Sequence, residues 1–307
     1  MDTVVETQGL YKYFYNKKGH TVIKACDDIS LSIPKGKTLG LVGESGCGKT
    51  TVGRILLRLI EPDSGTVFFN GHNLTEMNEK HIRPLRKNFQ MIFQDSSSSF
   101  NPRMRAYDAL KESVQLYSDL RAKELRDEIY HLMSRVNLHK GILSHFLGSL
   151  SGGELKRLDI ARVLSIHPAF IIADEPLSLL DMSIQSQIVN LLLEVQKEEN
   201  TSLLFISHDL RIVRMLSHTV AVMYRGKIVE LAPKSVITEN PLHPYTKHLW
   251  NPKISDFYVQ FFESGCVYKN SCRVLHRKGF PLICSEKQPE LLEYEKGHYA
   301  ACHFAQE

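Results

Sequence analysis

The chain has 307 residues, of which 23% are charged and 43% hydrophobic, and its formal net charge is only +4. That length accommodates a full α/β core with a smaller appendage; no uncharged apolar run reaches the roughly 18–20 residues a membrane helix needs, and the scattered Lys and Arg do not suggest nucleic acid. Met1-Asp2-Thr3-Val4-Val5-Glu6 has neither a basic nor an apolar leader region, so a cytoplasmic chain is expected, in a reducing compartment where its six cysteines would not pair as disulfides.

Residues 4–33 alternate apolar and polar positions and carry turn signals at Lys17-Lys18-Gly19 and Pro34-Lys35-Gly36, which predicts an antiparallel, hairpin-rich edge. Thr38-Leu39-Gly40-Leu41-Val42 follows as a short buried strand. Next comes Gly43-Glu44-Ser45-Gly46-Cys47-Gly48-Lys49-Thr50, which writes out GxxxxGKT, and then a helical pattern with Val52, Ile55, Leu56 and Leu59 on one face. Strand, spacing and helix agree on a phosphate-binding loop. Its glycines let the backbone turn tightly and aim N–H groups inward, and the helix adds its positive dipole end. Lys49 is expected on the β- and γ-phosphates, and the Thr50 hydroxyl in the shell of a Mg²⁺ ion; Gly43, Ser45, Gly46, Cys47, Gly48 and Thr51 complete the expected cradle.

Thr66-Val67-Phe68-Phe69 with Asn70-Gly71 predicts another hairpin, and residues 88–93 one more buried strand. A helical insertion over about residues 95–165 is expected from the change of pattern between 106 and 143. Phe170-Ile171-Ile172-Ala173-Asp174 and Ser202-Leu203-Leu204-Phe205-Ile206-Ser207 are apolar runs of parallel-strand type separated by a helical stretch, 184–198. In open α/β sheets ligands sit beyond the carboxyl ends of such strands, so their polar terminal residues should face the nucleotide. A closing hairpin over residues 220–230 follows, and a boundary is drawn near residue 240. This gives an α/β phosphate-loop nucleoside triphosphatase core, RecA-like, with an antiparallel β subdomain and a helical insertion in residues 1–240, and a small cysteine-containing extension in 241–307.

Leu150-Ser151-Gly152-Gly153-Glu154, with Lys156-Arg157 and Ile160-Ala161-Arg162, precedes Asp174-Glu175 by one helix and a short loop. A serine and two glycines at a helix start form a second anion site or only a helix cap. With the phosphate loop, these residues make nearly the whole chain resemble the ATP-binding subunit of an ABC transporter. The resemblance implies that Ser151, Gly152 and Gly153 are presented to the phosphates held by a partner subunit, two ATP molecules being sandwiched in a head-to-tail dimer. Glu154 replaces the family's usual Gln and is expected to cost a little beside a polyphosphate. Asp174 would organise Mg²⁺ and Glu175 act as general base for in-line attack of water on the γ-phosphate. By resemblance His208 is the switch histidine, Gln94 joins the metal shell, and Asp181 of Ser178-Leu179-Leu180-Asp181 belongs to the cross-dimer loop. Phe14 is the best match for the ring against adenine, ahead of Tyr13 and Tyr15. The loop from Ser96 to Arg103 departs from the family pattern.

In the extension, Cys266, Cys272, Cys284 and Cys302 have the spacing C-x5-C-x11-C-x17-C. Four thiols there read as a metal site before disulfides, without the C-x2-C of a zinc ribbon. With Asn240-Pro241-Leu242-His243-Pro244-Tyr245-Thr246 they resemble the tail of the oligopeptide and dipeptide branch of importer ATPases, which implies a 4Fe-4S cluster; zinc and unliganded structural thiols are the alternatives. The implied assembly is peripheral, on the cytoplasmic face of the cell membrane. It comprises a second ABC ATPase in a favoured heterodimer, two membrane-spanning permease subunits and an extracytoplasmic solute-binding protein. Import of nickel or a metal chelate, or a soluble ABC ATPase outside transport, are the other readings.

Overall fold

The computed structural model describes residues 2–15, 22–96, 99–178, 180–251, 265–272, 274, 277–279 and 281–305. The turn signal at Lys17-Lys18-Gly19, Ser97 and Ser98 of the serine run, Leu179 and the spacer 252–264 lie outside them.

Strands β1 (Thr3–Tyr15) and β2 (Val22–Pro34) pair antiparallel from Thr3↔Pro34 to Tyr15↔Val22. With β4 (Ser64–Phe69) and β5 (His72–Asn73) they form a four-stranded sheet in the order β2-β1-β4-β5. The alternation read in the sequence is a burial alternation: Ile29, Leu31 and Ile33 are buried while Asp28, Ser30 and Ser32 face out. The Asn70-Gly71 turn has positive φ at both residues, 47° and 79°, as a two-residue hairpin requires.

The larger sheet has the order β11 (Leu292–Glu295), β12 (His298–Ala300), β10 (Lys227–Pro233), then β9-β3-β8-β7-β6. Its parallel part is β3 (Thr38–Val42), β6 (Phe89–Ile92), β7 (Phe170–Asp174), β8 (Ser202–Ile206) and β9 (Thr219–Tyr224). Strands β3, β7 and β8 are buried throughout because both faces are covered, which is why they read as continuous apolar runs. Successive residues serve different cores. Ile171, Ala173, Leu203 and Phe205 pack on the helical side, whereas Phe170, Ile172, Leu204 and Ile206 join the β-subdomain side with Leu10, Ile29 and Val52.

Helix α1 (Lys49–Leu56) follows β3, and the short α2 (Glu79–Ile82) precedes β6. The helical insertion is α3 (Ala106–Tyr117), α4 (Ala122–Arg135) and α5 (Gly152–Leu164), packed on one another through Leu110, Val114, Ile129, Met133 and Leu158. Beyond it lie α6 (Met182–Glu199), α7 (Leu210–Leu216), β10 (Lys227–Pro233) and α8 (Lys234–Glu239). Among the described residues, no helix is long and apolar enough to cross a membrane.

The segment after Asn240 contributes α9 (Pro244–Trp250), α10 (Leu282–Glu286), β11 (Leu292–Glu295) and β12 (His298–Ala300). These two strands were not anticipated from the sequence, and β12 continues the main sheet by pairing with β10 at Glu230↔Ala300 and Leu231↔Tyr299. Glu230, fully buried, accepts hydrogen bonds from Leu242 N, His243 N and His298 Nε2, each at 2.8 Å. A buried carboxylate with three donors is satisfied, so it fastens the extension to the sheet without a net desolvation penalty large enough to expel it.

Candidate active site

The parallel strands end side by side, Leu41 opposite Ile206 and Ile206 opposite Asp174. Their carboxyl ends open into a cavity of about 610 Å³ lined by Phe14, Ser45, Gly46, Gly48, Lys49, Thr50, Thr51, Gln94, Asp174, Glu175, Ser178 and His208, with Ile23 and Ala25 on the β-subdomain wall. The loop after β3 folds over this opening. A Cβ on Gly48, whose φ is 113°, would stand 2.0 Å from the Ala25 carbonyl oxygen, so only glycine fits. Lys49 is buried and its Nζ donates to the carbonyls of Gly43 at 2.7 Å and Glu44 at 2.8 Å. Cys47 is buried beneath the loop, and Gly43 is pressed against the Met223 carbonyl.

The Thr50 hydroxyl donates to Asp174 Oδ1 at 3.2 Å. Burial pushes the Asp174 carboxyl above the usual carboxylate range; the Thr50 hydrogen bond offsets part of this, and the neighbouring Glu175 charge adds to it. A divalent cation beside the pair would reverse that balance, being the largest local charge. Glu175 sits in the left-handed region at φ 48°, its N–H bonded to the Ile206 carbonyl at 3.0 Å and its carbonyl accepting from Ser178 Oγ at 2.9 Å. Such a conformation in a non-glycine residue is strained, and strain of this kind clusters at functional sites. Glu175 Oε1 lies 2.9 Å from His208 Nδ1, so the histidine after β8 orients the carboxylate after β7. Phe14 lines the cavity, while Tyr13 turns its hydroxyl to Asp27 Oδ1 at 2.7 Å on the other face.

The remaining sequence candidates lie outside this cavity. Ser151 is the N-cap of α5: its Oγ accepts from Glu154 N at 3.3 Å, while Glu154 Oε2 takes the Ser151 N–H at 2.9 Å and hydroxyl at 2.8 Å. This is a capping box, so the unusual Glu154 has a local structural partner, and those hydrogen bonds hold its carboxyl below the usual range. Ser151 and Gly152 are exposed. Asp181 is likewise exposed and caps α6, accepting from Ile184 N at 3.0 Å.

Three residues with no role assigned from sequence tie this site to its surroundings. Lys156 on α5 is almost fully buried and donates to the Phe93 carbonyl and, at 3.2 Å, to the Gln94 carbonyl. Asp159, one turn on, is fully buried and receives Ser96 Oγ at 3.1 Å and Arg162 at 2.6 Å. The helix that begins with Ser151 therefore holds both sides of the chain segment around Gln94. Tyr245 of the extension accepts a hydrogen bond from Glu44 N in the phosphate loop at 2.9 Å.

Cys266, Cys272, Cys284 and Cys302 are not joined in disulfides and line one small cavity with His243, Pro244, Tyr268 and Phe304. Burial pushes the thiol of Cys266 up to about 12 and that of Cys302 up to about 11, with the nearby cysteines adding to the shift. Among the described residues, no group of three or more His, Cys, Asp or Glu side chains is arranged to hold a metal ion. The four thiols are thus gathered in one place, but not as a formed metal centre.

Residues 26–178 match the ABC transporter family. An oligopeptide transport ATP-binding protein of Bacillus subtilis, AppF, is 39% identical over 98% of this chain and 97% of its own length. The chain belongs to the ABC transporter family. A second B. subtilis protein, the oligopeptide transport ATP-binding protein OppF, is 46% identical over 81% of each chain, and the dipeptide transport ATP-binding protein DppF of Haemophilus influenzae is 36% identical over 96% and 94%. Among solved structures, the dimeric ATP-binding cassette MJ0796 with ADP and phosphate superposes with a TM-score of 0.70 at 23% identity, covering 75% of this chain and 98% of that one. That cassette shares the fold of this chain, and this chain, as an ABC transporter ATPase, hydrolyses ATP.

Proposed function

We propose that this chain is the ATP-hydrolysing subunit of an importer for di- and oligopeptides, working at the cytoplasmic face of the membrane. The observation that carries the reading is the end-to-end similarity to peptide-transport ATP-binding proteins, extension included, at 36–39% identity over 96–98% of the chain. In the proposed chemistry Lys49 and the loop N–H groups hold the β- and γ-phosphates, Thr50, Asp174 and Gln94 hold Mg²⁺, and Phe14 stacks on adenine. The metal would screen phosphate charge; Glu175, oriented by His208, accepts a proton from the attacking water. Ser151, Gly152, Gly153 and Asp181 serve the site of a second ATPase subunit, in keeping with the exposure of Ser151, Gly152 and Asp181 away from this cavity, and we favour a non-identical partner. A separate groove lined by Leu59, Phe93, Glu112, Leu116, Tyr117 and Arg162 adjoins the Gln94 segment. With Leu116 and Tyr117 exposed at 65% and 42%, it is the surface we assign to a permease subunit. Reconstituted with permeases and solute-binding protein in vesicles, the complex should hydrolyse ATP faster when a di- or oligopeptide is added. Stimulation by nickel or a chelate, with none by peptide, would overturn the assignment.

For the extension, residues 241–307, the proposal is a 4Fe-4S cluster held by Cys266, Cys272, Cys284 and Cys302, supported by four cysteines, none in a disulfide, around one cavity. Binding would release the protons that burial favours on Cys266, Cys284 and Cys302. Protein purified without oxygen should then be brown with about four iron per chain, bleached by Cys284→Ser. Colourless anaerobic protein, with zinc or with no metal, would refute it.

A further inference from the structure

The Gly43-Glu44 peptide is gripped from two sides. Its carbonyl accepts from Lys49 Nζ at 2.7 Å, and its N–H donates to the Tyr245 hydroxyl oxygen at 2.9 Å. A trans peptide is planar, with C=O and N–H pointing in opposite directions, so fixing one end fixes the other. We propose that Tyr245 is a positioning residue for ATP binding: by holding the Glu44 N–H it sets the plane of the Gly43-Glu44 peptide and thereby the resting place of the Lys49 ammonium.

The hydroxyl is well placed to do this because the ring cannot move. Tyr245 is fully buried, packed against Tyr224 with ring centroids 4.6 Å apart and against Tyr268 at 5.4 Å. Its own N–H is held by His243 Nδ1 at 3.1 Å, and His243 N by Glu230 at 2.8 Å. Burial pulls the His243 pKa down to about 3, which keeps that ring neutral and able to accept. A rigid chain of contacts thus runs from the main sheet through the start of α9 to the phosphate loop, across the boundary drawn at residue 240. Tyr268, two residues after Cys266, lines the cysteine cavity, so the same aromatic stack borders both places.

This inference rests on the reading of the cavity as the ATP site, and the two are separable by titrating Mg-ATP into the purified full chain and its variants. Lys49→Ala tests the site itself: undiminished binding would remove that reading whatever Tyr245 does. Tyr245→Phe keeps the buried ring and removes only the acceptor, so the dissociation constant for Mg-ATP should rise about three- to tenfold, the worth of one such hydrogen bond. In the assembled complex KM should rise in parallel while kcat at saturating ATP changes less than about twofold, because bound phosphate re-seats Lys49. In a Lys49→Ala background, Tyr245→Phe should add no further loss. Binding is measured well below the melting midpoint, so that a drop in stability does not enter. Wild-type affinity in Tyr245→Phe, or an equal additional loss in the Lys49→Ala background, would overturn the proposal.

Discussion

In the proposed chemistry, Glu175 is the residue on which turnover depends. Its left-handed backbone, its bond to His208 and its place one residue after a buried Asp174 give it a fixed carboxylate facing the cavity, next to a carboxyl whose ionisation burial opposes. Glu175→Gln preserves shape and hydrogen-bonding reach but cannot take a proton. Mg-ATP affinity should persist while turnover in the assembled complex falls by about 10²-fold or more, the usual size of a general-base contribution. Unchanged single-turnover kinetics would remove Glu175 from that role. Most of these residues were legible beforehand because a phosphate loop is a local signal: eight consecutive residues and the elements flanking them declare it. Glu154 was harder. Its charge suggested a cost beside phosphate, and only the local backbone geometry reveals that the carboxylate closes a capping box on Ser151.

Between elements, the periodicities that carry burial could be read, and those that do not could not. Strands β3, β7 and β8 announce themselves because both faces are covered, whereas β11 and β12, in Leu-Glu-Tyr-Glu and His-Tyr-Ala, lack β-branched residues, β12 pairing with β10 and β11 with β12. The cross-element ion pairs were equally silent in sequence. Glu199, at the end of α6, is bonded by Arg135 at the end of α4 at 3.3 Å and by His167 before β7 at 2.9 Å. The Glu199 hydrogen bond raises the His167 pKa, so the proton favours the folded state. The contribution is fully present below the ordinary histidine value and disappears as pH rises through the raised one. Because His167 is mostly exposed, the effect is small. Wild type should melt about 1–2 °C above His167→Gln near pH 6, and the difference should close by pH 9. A gap independent of pH over that range would mean the proton is not involved.

At the scale of the whole molecule the proposed site is shared between two subunits. One chain supplies the phosphate loop, the acidic pair and His208 to a single cavity, while Ser151, Gly152 and Asp181 stand exposed elsewhere, Ser151 and Asp181 each capping a helix. Sequence spacing could reveal both sets but not that 201 residues of separation are closed by the Tyr245 contact, since long-range approach leaves no local pattern. In the proposed assembly, a second subunit completes the γ-phosphate site. The most direct measurement is the ATP turnover per chain as a function of chain concentration, alone and with the partner ATPase added, using Lys49→Ala as the blank. The expected result is slow turnover at low concentration that climbs steeply as subunits associate or the partner is supplied. Full turnover from strictly monomeric wild-type chain, independent of concentration and of any partner, would contradict it.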